Sequence, residues 1–237
     1  MALDPAPAPP RQWALILPLK GGPAAKSRLG GGPALARAIA MDCLDTVLAC
    51  TDVRQVLVVT ADPGTAAEAT TAGADVVRER RPGAGLVAAV RDGVAAAPGG
   101  PAAVLLGDLP ALRPADLTLA LRTLATALDA GPTEPAEPAA EPTEPPIAPL
   151  MAAVPDAEGT GTVLLAALAA HRLDPAFGPD SLSAHRRRGA VVVVPDLGPD
   201  AARLRRDVDT PADLDVALRL GVGPRTAAAL RRARSAS

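Results

Sequence analysis

Lysine occurs at only two positions of this chain, Lys20 and Lys26, although lysines and arginines together number 24. Both lie in the segment LPLKGGPAAKSRLGGG, which also holds Gly21, Gly22 and Arg28. Lysine is a compact, flexible point charge, whereas arginine is a rigid planar fork, and glycines allow unusual backbone angles. The segment therefore predicts either a loop whose cationic side chains converge on a phosphate or a loop with two solvated lysines. It has neither a Walker ending nor a GxGxxG pattern.

Three aspartates form a second candidate set. Asp108 ends the apolar run in VLLGDLPAL, and Asp207 and Asp209 lie two residues apart in RRDVDTPADL. If that segment is extended, both carboxylates lie on the same side. Two carboxylate positions at strand ends suit a hard divalent cation such as Mg²⁺, with ligand phosphates completing the octahedron. The alternative is an Asx turn at Asp108 and a turn residue at Asp209.

Glycines and hydroxyls are combined in two further segments, GTGT at residues 159–162 and FGPDSLSAH at residues 177–185. Small donors and free backbone N–H groups beside a helix start can form an anion pocket. The two histidines, His171 and His185, pair with no evident Ser or Cys nucleophile, so we assign neither a catalytic role.

The elements that must position these residues alternate along the chain. The runs WALILPLK, VRQVLVVTAD, ADVVRE and AAVLLGDLP are typical of buried strands, and a helical segment follows each one. The first helix places Leu35, Ile39, Cys43 and Val47 on one stripe. The βαβα order predicts an α/β, doubly wound, mostly parallel sheet with ligands at the carboxyl ends of its strands. Further strands are predicted at PLMAAV, GTGTVLLAA, AVVVVPD and around RLRRDVD, and closing helices at PADLDVALRLG and PRTAAALRRAR.

Composition limits the class of protein. The formal net charge of -2 and the absence of tyrosine, with one Trp and one Phe, argue against a nucleic-acid binder. No stretch has the length of a membrane span, so a cytoplasmic protein without membrane contact is expected. Residues 1–12 are predicted to be disordered and residues 13–237 to form a single domain. Within that domain, the Pro/Glu-rich stretch 131–149 is predicted to be a surface loop.

In this order, the segments resemble the phosphoenolpyruvate or 2-phospho-L-lactate guanylyltransferase family of coenzyme F-420 biosynthesis. The motifs that carry the resemblance are LPLKGGPAAKSRL, VLLGDLPAL, GTGT, FGPDSLSAHRRRGA and RRDVDTPADLDVALRLGVGP. The resemblance implies a Rossmann-like, glycosyltransferase-A-type nucleotidyltransferase fold with a mostly parallel central sheet. It also implies transfer of GMP from GTP to the phosphate of either acid, with release of pyrophosphate, Mg²⁺ as cofactor and a downstream deazaflavin transferase as partner.

The resemblance also implies roles for nine residues and no catalytic base. GTP phosphates would contact Lys20, Lys26 and Arg28; the metal would contact Asp108, Asp207 and Asp209; phosphoenolpyruvate would contact Thr162, Gly178 and Ser181. Val87 departs from the family, which often has Asn at that position. The alternatives are another NTP transferase, such as a molybdopterin guanylyltransferase, and a non-catalytic nucleotide-binding module.

Overall fold

The computed structural model describes residues 11–20, 32–130, 150–195 and 201–235. Residues 1–10 of the predicted disordered segment, the 131–149 stretch, Lys26 and Arg28 lie outside these ranges. At the start of the described chain, Arg11 bonds the Asp129 carboxylate (Nη2 to Oδ1, 3.0 Å). Residues 11 and 12 therefore lie against the domain, because Gln12 also donates a hydrogen bond to the carbonyl of residue 51 (3.2 Å).

In the first half of the chain, strands and helices alternate as predicted. The strands are β1 (Trp13–Pro18), β2 (Val53–Thr60), β3 (Asp75–Arg78), β4 (Ala102–Leu105), β5 (Met151–Pro155), β6 (Thr162–Ala167) and β7 (Ala190–Val192). The helices are α1 (Gly32–Leu48), α2 (Pro63–Ala72), α3 (Leu86–Ala96), α4 (Pro114–Asp129), α5 (Ser181–Arg187), α6 (Ala201–Arg205), α7 (Pro211–Leu220) and α8 (Pro224–Ser235). None of these helices is both long and apolar enough to cross a membrane.

The strand predicted around RLRRDVD is wrong. Its first part belongs to helix α6, and the residues that follow, including Asp207, belong to no strand. The two buried apolar residues of the segment are Leu204 and Val208, both fully buried and four residues apart. A spacing of four fits the helical repeat and also the alternation of a strand, so these two residues did not distinguish a helix from a strand. The placement of Asp207 and Asp209 on the same side was predicted for an extended strand, and no strand forms at these residues.

The described strands form one sheet in the order β3-β2-β1-β4-β6-β5-β7. Strands β3, β2, β1 and β4 are parallel, and β7 is parallel to β5, which confirms the mostly parallel sheet. Strand β6 is antiparallel to both of its neighbours. Because β6 is reversed, its first residue, Thr162, lies at the edge where the parallel strands end.

Both faces of the sheet are covered by helices. Leu15 and Leu17 of β1 pack into one apolar cluster with α1 and α4, whereas Ala14 and Ile16 pack into a second cluster with α3 and α5. Successive side chains of a strand point to opposite faces, so a strand buried on both faces reads as a continuous apolar run. The predicted stripe of α1, namely Leu35, Ile39, Cys43 and Val47, is buried.

Candidate active site

Lys20 lies at the carboxyl end of β1 and lines two neighbouring cavities. The preceding residue, Leu19, donates its N–H to the carbonyl of Val59 (2.9 Å), so the backbone keeps its place in the sheet up to the lysine. One cavity, of about 340 Å³, lies above β1 and β2, and the other, of about 220 Å³, reaches the end of β4. An exposed lysine between two cavities can contact parts of one extended anionic ligand in both.

The larger cavity has mainly aliphatic and backbone walls with two carboxylates. Asp62 accepts hydrogen bonds from the backbone N–H (2.7 Å) and hydroxyl (2.8 Å) of Thr65, which caps helix α2 and lowers the pKa of Asp62. Glu79 follows β3 and is half-buried. Leu86 and Ala89 line this cavity, whereas Val87 packs against the core.

The three predicted metal-binding aspartates are brought together at the end of β4. The backbone carbonyl of Asp108 accepts a hydrogen bond from the N–H of Val208 (3.1 Å), which holds the segment after α6 against β4. Asp108 and Asp209 also line the smaller cavity. Burial raises the pKa of Asp207 to about 7, with further contributions from the negative charges of Asp108, Asp209 and Asp156. Negative charge is therefore concentrated at this corner.

This donor set fits a divalent cation that also binds a ligand. Within the described ranges, no group of three or more His, Cys, Asp or Glu side chains has the arrangement of a complete metal site. Mg²⁺ does not need one, because it is usually held by one or two carboxylates while substrate phosphates and water supply the other oxygens. A cation here would also stabilise the ionised form of Asp207, whose pKa is raised mainly by burial.

Two arginines of α6 attach the Asp207 segment to two other parts of the fold. Arg203 forms a buried ion pair with Asp116 of α4 (Nε to Oδ2, 3.0 Å). Arg205 donates hydrogen bonds to the backbone carbonyls of Pro155 (3.0 Å) and Asp156 (2.6 Å) at the end of β5. Sequence reasoning did not identify these roles, and the only signal was the run of arginines immediately before Asp207.

The residues predicted to bind phosphoenolpyruvate lie at the same edge of the sheet, near the starts of β6 and α5. Thr162 starts β6 and Ser181 starts α5, and both side chains are buried. The backbone N–H of Leu182 donates to the carbonyl of Thr160 (3.0 Å), so the start of α5 is joined to the β5–β6 turn. Gly178 has φ +145°, a conformation that L side chains rarely adopt.

Sequence reasoning missed the buried side chain that joins these segments. His185 is fully buried on α5, with hydrogen-bond distances of 2.9 Å to Thr162 Oγ1 and to the Ala176 backbone nitrogen. Its spacing of four residues from Ser181 was the available signal, because such residues lie on one face of a helix.

Along the carboxyl edge of this mostly parallel α/β sheet lie Lys20, three aspartates and the buried residues Thr162 and Ser181, an arrangement that suits a nucleotidyltransferase. Residues 21–139 match the MobA-like NTP transferase domain family. A phosphoenolpyruvate guanylyltransferase of Salinispora arenicola is 47% identical over 221 residues, covering 91% of this chain and 92% of that protein. The chain belongs to the phosphoenolpyruvate guanylyltransferase family, which confirms the resemblance.

Other comparisons agree with this assignment. A phosphoenolpyruvate guanylyltransferase of Streptomyces scabiei is 47% identical over 234 residues, covering 93% of this chain and 97% of that protein. The structure of a nucleotidyl transferase from Methanothermobacter thermautotroptrophicus aligns with a TM-score of 0.56 at 18% identity, covering 88% of this chain and 98% of that one. At that identity the structure supports the fold alone, and the predicted nucleotidyltransferase fold is confirmed.

Proposed function

We propose that this protein transfers the guanylyl group of GTP to the phosphate of phosphoenolpyruvate and releases pyrophosphate. An oxygen of the acceptor phosphate forms a bond to the α-phosphorus of GTP, and the bond from that phosphorus to the β-phosphate oxygen breaks, so its electron pair leaves with pyrophosphate. The observation that carries the proposal is the position of Lys20, between a cavity of nucleoside size and the carboxylates at the end of β4.

The nucleoside of GTP occupies the larger cavity in this proposal. Its aliphatic walls cover the faces of the base, and the Glu79 carboxylate accepts hydrogen bonds from N1–H and the N2 amino group of guanine. Asp62 is already engaged in capping α2, which makes Glu79 the better reader of the base. From there the phosphates extend past Lys20, with Lys26 and Arg28 as additional cationic contacts.

Asp108, Asp207 and Asp209 hold a divalent cation in this proposal, and we name Mg²⁺. The cation, when bound, neutralises charge on the phosphate oxygens. The side chains of Asp108 and Asp209 line the smaller cavity, next to Lys20, so a cation held there lies beside the phosphates in this proposal.

Thr162, Gly178 and Ser181 bind the phospho-acid in this proposal. A phosphate monoester has a second pKa near 6. The attacking oxygen is therefore already ionised at neutral pH, and no general base is required. The protein contributes alignment of the two phosphates and neutralisation of charge by Lys20, Lys26 and Arg28. The same three residues accommodate 2-phospho-L-lactate as an alternative acceptor. The labile product formed from either acid is passed to a deazaflavin transferase of coenzyme F-420 synthesis.

The test is pyrophosphate release from GTP and Mg²⁺ with phosphoenolpyruvate, with 2-phospho-L-lactate or with no acceptor. A downstream transferase is added to consume the product, and ATP in place of GTP is the nucleotide control. We expect release with GTP that depends on phosphoenolpyruvate. GTP binding without release for any acceptor would instead identify a nucleotide-binding module, and no GTP binding would contradict the placement of the phosphates beside Lys20.

A further inference from the structure

His185 connects the three segments that carry the proposed acceptor residues. Its Nδ1 lies 2.9 Å from Oγ1 of Thr162 at the start of β6, and its Nε2 lies 2.9 Å from the backbone nitrogen of Ala176. The ring also meets Phe177 edge to face, with centroids 5.0 Å apart. Ser181 lies four residues earlier on the same helix. A single buried imidazole thus contacts β6 and the loop before Gly178, and shares a helix face with Ser181.

The hydrogen-bond partners determine which ring nitrogen carries the proton. A backbone N–H can only donate, so Nε2 must accept from Ala176 and must itself be unprotonated. Burial, together with the positive charge of Arg188, lowers the pKa of His185 to about 4, although Asp174 acts in the opposite direction. The ring is therefore neutral near pH 7, and its one hydrogen is on Nδ1.

This tautomer determines what the hydroxyl of Thr162 can do. Because Nδ1–H donates to Oγ1, one acceptor site of the hydroxyl is occupied and its own hydrogen is directed to another group. Thr162 is almost fully buried, so the direction of that hydrogen is set by the protein and not by bulk water. A hydroxyl oriented in advance loses less entropy when it binds an anion.

We propose that His185 is a positioning residue for the acceptor site: it holds Thr162 so that the threonine hydroxyl donates to an anionic oxygen of the phospho-acid. The same ring accepts a hydrogen bond from the backbone N–H of Ala176 and thereby fixes the backbone that leads to Gly178. This inference rests on the proposed function, because it takes the corner formed by Thr162 and Ser181 to be the place where the acceptor binds.

Two substitutions separate the two contacts of the ring. In His185→Asn the side-chain amide replaces Nδ1 and can still donate to Thr162, whereas in His185→Gln the amide reaches the Nε2 position and can only replace the contact with Ala176. Hydrogen bonds to charged groups contribute about 1.5 to 3 kcal/mol. We therefore expect His185→Gln to raise the KM for phosphoenolpyruvate about ten- to a hundredfold, and His185→Asn to raise it about threefold or less. The KM for GTP should stay unchanged in both.

The exposed His171 provides the control, because His171→Gln makes the same chemical change outside this corner. Melting temperatures of all three variants show whether they are folded. A purely structural role predicts that His185→Asn and His185→Gln raise the acceptor KM equally, and that result would overturn the proposal. A parent protein without acceptor-dependent pyrophosphate release would instead contradict the proposed function.

A double-mutant cycle tests whether His185 acts through Thr162. Thr162→Val removes the hydroxyl at nearly constant volume and should itself raise the acceptor KM. In that background His185→Gln should cause no further rise, because the group it orients is absent. Full additivity of the two effects on KM would overturn the proposal.

The tautomer can be read in the parent protein even if substitutions at position 185 prevent folding. The chain has two histidines, so ¹⁵N NMR of the imidazoles with His171→Gln for assignment gives an unambiguous signal for His185. We expect Nδ1 to be protonated and Nε2 to be unprotonated near pH 7. A proton on Nε2 would overturn the proposal independently of any enzyme assay.

Discussion

The proposed nucleotide half and the proposed acceptor half of the sheet edge are built differently. In the nucleotide half, the parallel strands β1, β2 and β3 end beside a cavity whose walls are mainly aliphatic side chains and backbone, with Lys20 exposed at its mouth. In the acceptor half, the reversed strand β6 presents Thr162 to the buried His185. The first half contains a cavity, and the second contains polar side chains that are held in place by hydrogen bonds to one another.

This difference corresponds to the size of the proposed ligands. A nucleotide covers a large surface, so many weak contacts with a cavity can hold it. A three-carbon acid has few atoms, so its binding depends on a small number of well-oriented donors. Asp108 and Asp207 lie between the halves, and Arg205 joins the Asp207 segment to the end of β5 on the acceptor side. Substitutions in each half should therefore affect different kinetic constants.

The largest effect is expected at the boundary, where Asp108→Asn and Asp207→Asn each remove a carboxylate charge without changing the shape of the side chain. Loss of charge stabilisation in a transition state typically costs about a hundred- to a thousandfold in kcat. We expect losses of at least that size in pyrophosphate release. Asp215→Asn, at an exposed position of α7, is the control. Near-normal turnover in both active-site variants would contradict the metal assignment.

Lys20→Ala should affect only the kinetic constants for the nucleotide. Removing a charged donor to a phosphate should raise the KM for GTP about ten- to a hundredfold and leave the KM for phosphoenolpyruvate unchanged. Lys20→Arg keeps the charge in a larger, more rigid group, so we expect it to restore affinity only partly. Steady-state kinetics with each substrate varied separately make the comparison, and an equal rise in both KM values would contradict the division into halves.

Glu79→Gln should alter which base is chosen. A glutamine can donate to N1 of adenine and accept from its N6 amino group, whereas a carboxylate is acceptor-only and pairs with guanine. We expect kcat/KM for GTP to fall about tenfold and the relative use of ATP to rise. Asp62→Asn makes the same change from carboxylate to amide at the cap of α2, where Asn serves about as well as Asp, so it is the matched control and should leave base preference unchanged. An unchanged preference in Glu79→Gln would place the reader of the base elsewhere.

Stability should depend on pH through Asp207. Its pKa is raised to about 7 in the folded protein, so between about pH 4 and 7 the folded state binds more protons than the unfolded chain and stability falls as pH rises. A divalent cation pairs with the ionised form. Mg²⁺ should therefore raise the melting temperature more at pH 8 than at pH 5, and Asp207→Asn should abolish that difference. An equal effect of Mg²⁺ at both pH values in the parent would count against this site.

The smallest effect is expected in the acceptor half, at Asp180. This residue has φ +54°, in the left-handed region, immediately before α5. Asp180→Gly relieves that conformation, and we expect a gain of at most about 1 kcal/mol in the free energy of unfolding. Removing the carboxylate should also lower the KM for phosphoenolpyruvate slightly. Asp180→Asn removes the charge but keeps a side chain in the left-handed conformation, so it separates the two effects. A change in the KM for GTP would contradict the division into halves.

The alternation of strands and helices was predictable because it depends on local patterns. Strand β1 reads as a continuous apolar run because both of its faces are buried, and the stripe from Leu35 to Val47 follows the helical repeat. The error at RLRRDVD arose because a short segment with two apolar residues satisfies more than one periodicity. There the helix is accompanied by long-range contacts, among them the ion pair of Arg203 with Asp116, 87 residues away in sequence.

The sequence by itself determined the family, the order of the strands and helices apart from α6, and the residue types able to bind phosphate and metal, because these depend on motifs and on local spacing. Only the tertiary structure decided that β6 runs antiparallel, that Thr162 therefore reaches the carboxyl edge, and that Asp108 and the Asp207 segment meet there. It also decided the role of His185. A histidine has two ring nitrogens, and which one carries the proton depends on partners that folding brings together from distant parts of the chain.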